Sequence, residues 1–200
     1  MNKNIKISPK HVKKKDSILD SAVFIFSEYG FYNTKLEQIT RSLNLTDKSI
    51  YYYFTSKGDL FLEVILSVQN KLDRLIETIN QMDTTHIEKI KTYTNKAMTI
   101  NGLTLLMNIP KSLSSFVLYN NVKSNEAKQY KAWTKWFQQG QIDGSMIYGD
   151  PEEHRNFLFG SLFYLHRWHA ITDNESYAHI QPFIETMIDR MYSTQFQRVQ

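Results

Sequence analysis

From Lys14 onward, apolar residues recur three and four positions apart, and no stretch alternates apolar with polar residues as a half-buried strand would. Ile18, Ala22 and Phe26, with Leu19 and Val23 beside them, set the pattern until Gly30 stops it. That period confines the chain to an all-α fold. Thr34 and Glu37 have the spacing of a capping box and predict a short second helix over 35–43, with Leu36, Ile39 and Leu43 on one face. Asn44 suits the left-handed residue of a tight turn, and Thr46 caps a third helix over 47–54. Ser56 and Asp59 are spaced as a further cap, so a longer helix is predicted from Lys57 to about Asn80. Amphipathic segments follow near 85–99, 103–119, 124–142, 151–172 and 175–194, with Pro110 expected to kink or interrupt the second of these. Two domains are predicted, 1–60 and 61–200, comprising about nine helices.

Two hundred residues, 42% apolar with only seven Gly and four Pro, allow a sizeable core and few loops. The absence of Cys excludes disulfides and thiolate chemistry. The lysine-rich start has no apolar centre and is not a signal peptide, and no apolar run approaches the ~20 residues of a membrane span. A soluble cytoplasmic protein without membrane partners is expected.

The net charge of +4 is unevenly placed. Residues 1–60 hold ten basic against six acidic side chains, whereas 61–200 are balanced at fourteen each. A lysine tail alone fits a solvated terminus as well as an arm that follows a polyanion. The residues after it decide. Two short helices joined by a tight turn behind a basic tail form the pattern of a helix-turn-helix.

In the third helix, "SIYYYF" over 49–54, successive residues turn by about 100°. Ile50 and Phe54 then share one face, with Leu45 added from the turn, and belong to the core. Tyr52 points about 180° from that face, and Tyr51 and Tyr53 flank it about 80° to either side. Exposed rings with phenol groups suit sugars, thymine methyls and phosphate oxygens, so the tyrosines are assigned to a DNA interface. Lys48 and Lys57 stand in first turns of helices, where the macrodipole disfavours a cation by ~0.3–1 kcal/mol. A phosphate held at the helix start accounts for both; the weaker alternative is that Asp47 and Asp59 offset the dipoles around solvated lysines.

Residues 18–60 resemble the DNA-binding domain of TetR/AcrR-family transcriptional regulators. The resemblance rests on Ala22 to Phe31, on Thr34 to Ile39, and on Leu45 to Leu60 with its "IYYYF" and "SK". It implies a homodimer, non-enzymatic, that binds a palindromic operator in double-stranded DNA. It also implies that Thr46, Ser49, Tyr51, Tyr52, Tyr53 and Lys57 contact DNA and that Thr34 lies at a phosphate-contacting helix start. Three positions depart from the family pattern. Thr40 replaces a small alanine, Lys48 stands where glycine is common, and Tyr53 stands where histidine is frequent, so the operator sequence cannot be transferred from relatives.

The resemblance further implies an effector-binding and dimerisation domain whose last two helices, about 151–172 and 175–194, pair with their symmetry mates. Their apolar stripes, including Ile180, Phe183, Ile184, Met187, Ile188 and Met191, would also suit packing within one chain. Leu103, Met107, Phe116, Trp133, Phe137 and Phe163 are the candidate effector-binding side chains, suited to a lipophilic small molecule. Alternatives are a fatty-acyl-CoA-like effector and an architectural DNA-coating protein that has no effector and a cavity-free core. Membrane-surface binding through the lysines would leave the caps and tyrosines unexplained. His166 and His169 are spaced to share a metal, but no third ligand or catalytic motif accompanies them, and no cofactor, metal site or catalytic residue is assigned.

Overall fold

The computed structural model describes residues 9–168 and 174–197. They form α1 (Pro9–Asn33), α2 (Leu36–Ser42), α3 (Asp47–Tyr51), α4 (Lys57–Asn80) and α5 (His86–Ala97). After two short 3-10 turns come α6 (Val117–Ile142), α7 (Pro151–Trp168), α8 (Asn174–Ala178), α9 (Gln181–Tyr192) and α10 (Thr194–Gln197). The protein is all-α, an amino-terminal helix-turn-helix followed by a larger helical part; among the described residues the only extended pairing is the single bridge Met146–Ser193. No described helix is long and apolar enough to cross a membrane.

α1 is already helical at Pro9, the first described residue and five residues before the predicted start. Gly30, at φ 72°, breaks the helix, and a last turn follows to Asn33. The capping box falls one residue later than predicted. The Lys35 N–H donates to Gln38 Oε1 at 2.7 Å, while the Thr34 hydroxyl donates back to the Gly30 carbonyl at 2.7 Å. Asn44 has the left-handed conformation its position requires, at φ 52°. Ser56 caps α4 by accepting from the Asp59 N–H at 3.0 Å, and Asp59 in turn accepts from the Thr55 N–H at 2.9 Å.

Three segments differ from expectation. α3 ends at Tyr51 and not at residue 54, its last predicted turn reduced to a cap at Tyr52 and a turn. The predicted helix over 103–119 does not form. Its residues make turns at Leu103–Met107 and Lys111–Leu113, and α6 begins at Val117. Pro110 has no N–H to donate and forces Ile109 towards an extended conformation. Gly102, left-handed at φ 87°, admits Val23 and Val68 so closely that a β-carbon there would meet each at 2.9 Å. The last predicted helix is divided as well: α8 ends at Ala178, and α9 restarts with Pro182 in its first turn. The expected end of α7 at residue 172 and the side chain of His169 lie outside the described residues.

The core has two centres joined by α4. Ile18, Ala22, Phe26, Ile39, Ile50 and Phe54 surround the first half of α4, together with Leu105, Leu113 and Val122. Leu72, Ile76 and Ile79, from its second half, pack with residues of α5, α6, α7 and α9. Gln69 lies at the seam. Its amide donates to the Val122 carbonyl at 3.0 Å, and Gln129 donates to the Gln69 carbonyl at 3.0 Å and to Asp73 at 2.7 Å.

Candidate DNA-binding surface and effector cavity

α2 and α3 are held together by the turn between them, in which the Leu45 N–H donates to the Thr40 carbonyl at 2.8 Å. Thr40 is buried, and its hydroxyl donates to the Glu37 carbonyl at 3.2 Å. Ile50 is buried, as the helical angle requires; Phe54, beyond the end of α3, is buried beside it with its N–H donating to the Ile50 carbonyl at 3.0 Å, and Leu45 is partly covered. Tyr52 is 72% exposed and Tyr51 56%, while Tyr53 is half-buried. The rings of Tyr52 and Tyr53 meet edge to face at 5.0 Å. Thr46 is exposed at the start of α3, its hydroxyl 2.9 Å from that of Ser49, and Lys48 is exposed beside them.

The early start of α1 adds a residue that the sequence did not single out. His11 packs against Tyr52 at 5.6 Å and Tyr53 at 4.7 Å, bringing the exposed Lys10 and Lys13 near the tyrosines along the chain. Lys15 is occupied inside the fold: it pairs with Glu63 at 2.9 Å and lies over the Phe54 ring. Lys3 and Lys6 lie outside the described residues.

Two candidate DNA contacts sit differently from what the resemblance implies. Thr34 is only 1% exposed, and both its N–H and its hydroxyl are committed to the Gly30 carbonyl, so its side chain braces the end of α1. Lys57 reaches back across the same junction. Its ammonium donates to the carbonyls of Thr34 at 2.9 Å and Tyr32 at 3.3 Å and lies 4.7 Å from the centre of the Phe31 ring. The charge thus sits where the last turn of α1 exposes carbonyls, which attract a cation.

A cavity of about 400 Å³ opens between α4, the 103–109 stretch, α6 and α7. Of the candidate effector residues, Met107, Trp133 and Phe163 line it. Leu103 lines a neighbouring apolar space of about 20 Å³ with Trp133 and Phe163. Phe116 and Phe137 do not line either. Phe116 packs on the start of α4 at Gly58, and Phe137 is fully buried 5.5 Å from the Tyr192 ring. His166 is buried too; burial pushes its pKa down, against hydrogen bonds with backbone that include one to Met98.

The wall also carries polar groups absent from the sequence reading: Gln69, Lys123, Glu126, Gln129, Tyr130 and Arg155. They come from helices far apart in sequence, and no local pattern announces them. Lys123 pairs with Glu126, which also accepts from the Tyr130 hydroxyl at 3.0 Å. Burial, followed by the Glu126 charge, pushes the Tyr130 pKa up to about 12, so the phenol remains a donor at neutral pH. Trp133 stacks on Phe159 at 4.2 Å, giving the cavity an aromatic side.

Residues 18–64 match the family model for bacterial regulatory proteins of the tetR family, a span that contains α2, α3 and the cap of α4. Those residues are a segment of the tetR-family type. The match supports a transcriptional regulator. It is 26% identical over 166 residues to IcaR of Staphylococcus aureus strain Newman, the HTH-type negative transcriptional regulator of the biofilm operon icaADBC; the match covers 78% of this chain and 82% of the relative. Over 53 residues it is 43% identical to the HTH-type transcriptional repressor NicS of Pseudomonas putida, covering 26% and 25% of the two chains. Among solved structures, the ketosteroid regulator KstR2 of Mycobacterium tuberculosis has the same fold, with TM-score 0.77 at 16% identity over 90% of this chain and 95% of that one. So does AibR in complex with isovaleryl coenzyme A and operator DNA, with TM-score 0.72 at 12% identity over 89% and 97%.

Proposed function

We propose that the protein is a ligand-controlled repressor that binds a palindromic operator as a homodimer and leaves it when a small effector occupies the cavity. Residues 1–60 then serve DNA, and 61–200 serve the effector and the dimer. The observation that carries this reading is the 103–116 segment. Leu106, Met107 and Ile109 line the cavity, while Leu105 and Leu113 belong to the core of the helix-turn-helix and Phe116 lies against Gly58 at the head of α4. The Tyr32 hydroxyl also lies 3.4 Å from that of Ser112. A ligand that displaces this segment therefore displaces the support of α1 and α4, in addition to any tilt of α4 itself.

On the DNA side, Thr46, Lys48, Ser49, Tyr51, Tyr52 and Tyr53 form the contact surface, with His11 and the lysines of α1 beside it. Lys57 holds the end of α1 in place and has a third ammonium N–H left for a phosphate. The dimer is assigned to α7 and α9. Phe157, Tyr164 and Trp168 are 57%, 56% and 74% exposed along one face of α7, and Phe183 is 59% exposed on α9. Such a surface marks an interaction site, and a two-fold pair would read half-sites about 34–36 Å apart or a multiple of that. An architectural coating protein needs no effector, and a cavity of about 400 Å³ favours the repressor over it. Such a regulator acts in the cytoplasm and catalyses no reaction.

The test has two arms. DNA fragments selected by the purified protein should contain a dyad, and Tyr52→Ala should lose more affinity for them than Tyr52→Phe. Lipophilic and acyl-thioester compounds that raise the melting temperature should bind more weakly once operator is saturating, because coupling is reciprocal; a coupling of about 1–3 kcal/mol corresponds to roughly 5–150-fold. Equal binding with and without operator would overturn effector control.

A further inference from the structure

Arg155 lines the cavity as a cation with no carboxylate partner among the described residues. It is nonetheless fixed in place. One terminal nitrogen donates to the Thr134 hydroxyl at 2.6 Å, and the other, together with Nε, donates to Asn156 Oδ1 at 2.8 and 3.2 Å. Its guanidinium carbon lies 5.0 Å from the centre of the Tyr130 ring. All these partners are neutral. One N–H remains on each terminal nitrogen for an oxyanion to accept. The other charges on the wall, Lys123 and Glu126, neutralise one another, so the cavity keeps an excess positive charge at Arg155.

A second polar residue, Gln69, belongs to the same wall. Gln69 is 3% exposed, and because its amide nitrogen is committed to the Val122 carbonyl, its Oε1 is left buried without a hydrogen-bond partner. An unmet buried acceptor is costly, and a ligand donor that reached it after a small shift of the side chain would relieve it. Between these polar groups the wall is apolar, formed by Leu106, Ile109, Trp133, Phe159 and Phe163.

We propose that the effector is an amphipathic anion, an apolar body bearing a single carboxylate or phosphate group bound by Arg155. This rests on the effector-controlled reading above and makes it more specific. A preorganised guanidinium without an internal anion discriminates charge, because a neutral ligand leaves it unpaired in a partly desolvated wall. A hydroxyl or amide N–H on the ligand body would add the bond that Gln69 lacks.

The experiment uses the full chain with matched probes: decanoate, decyl phosphate and decanamide, and indole-3-acetate beside indole-3-acetamide. Calorimetry should show at least one acid binding more tightly than its amide by on the order of tenfold or more. Arg155→Gln should remove that preference, and Arg155→Lys, which keeps the charge without the fork, should retain part of it. Decanoate against decyl phosphate separates carboxylate from phosphate recognition. Melting curves confirm that both variants fold. Amides binding as tightly as acids, acid affinity unchanged in Arg155→Gln, or no binding by any acid would each overturn the assignment. Effector control falls separately, only if the broader compound screen also yields no ligand whose binding responds to operator.

Discussion

Phe116 occupies the space beside Gly58: a β-carbon on that glycine would stand 2.8 Å from Phe116 Cζ and 2.9 Å from Leu113 Cδ2. The close approach joins the segment below the cavity to the first turn of α4. Gly58→Ala should gain about 1 kcal/mol of helix propensity but lose about 1–3 kcal/mol to overpacking, for a net destabilisation. A lower melting temperature with a weakened effector response is the expected outcome. Higher stability would show that the ring moves aside freely.

Lys57 and Lys48 should separate into a stabilising and a recognising lysine. Lys57→Ala removes two hydrogen bonds to carbonyls and a ring contact, so it should cost roughly 1–2 kcal/mol in denaturant unfolding as well as weaken DNA binding. Lys48→Ala, on an exposed site, should leave stability within about 0.5 kcal/mol. Its expected effect is a uniform loss on specific and random DNA, with the salt slope reduced by about one, read by fluorescence anisotropy.

Neighbouring residues of α9 should respond in opposite ways. Ile184 is fully buried within the chain, and Ile184→Glu should unfold the protein or cost more than about 4 kcal/mol. Phe183→Glu, on the exposed side, should leave a folded chain that light scattering finds as a monomer. A Phe183→Glu variant that remained dimeric would remove α9 from the dimer interface.

Asp143 gives the fold a specific acid sensitivity. Burial alone would raise its pKa, but hydrogen bonds from Ser145 and His86 outweigh that and hold it at about 2, against an ordinary 3.8. Because the folded value lies below the unfolded one, this stabilisation is fully present above about 3.8 and is lost as the pH falls towards about 2. The bonds tie the start of α5, through the His86 N–H at 3.1 Å and ring nitrogen at 2.6 Å, to the end of α6. Asp143→Asn should flatten the fall in urea midpoint across that window, and an unchanged slope would remove Asp143 as its source.

Some relations followed from the sequence because they are internal to one helix or one turn. The bond from the Phe54 N–H to the Ile50 carbonyl carries the turn of about 100° per residue past the end of α3, sending Ile50 and Phe54 inward and Tyr52 outward. Ser56 and Asp59 cap α4, and Asn44 turns left-handed, through bonds and sterics spanning a few residues. Relations between elements were decided only by packing. α9 carries apolar residues on two faces, and periodicity could not tell that Ile184, Ile188 and Tyr192 pack inward while Phe183 stays exposed. The fate of 103–116 depended on Gly102 meeting Val23 and Val68, and on Phe116 meeting Gly58. Thr34 and Lys57 looked available to DNA until the bend at Gly30 presented carbonyls to both. The cavity wall joins Gln69, Tyr130, Trp133 and Arg155 from three helices. A helix's own period fixes the angles among its side chains, but which face meets which neighbour is set by the competition of all faces for burial, and that competition is resolved only in the folded chain.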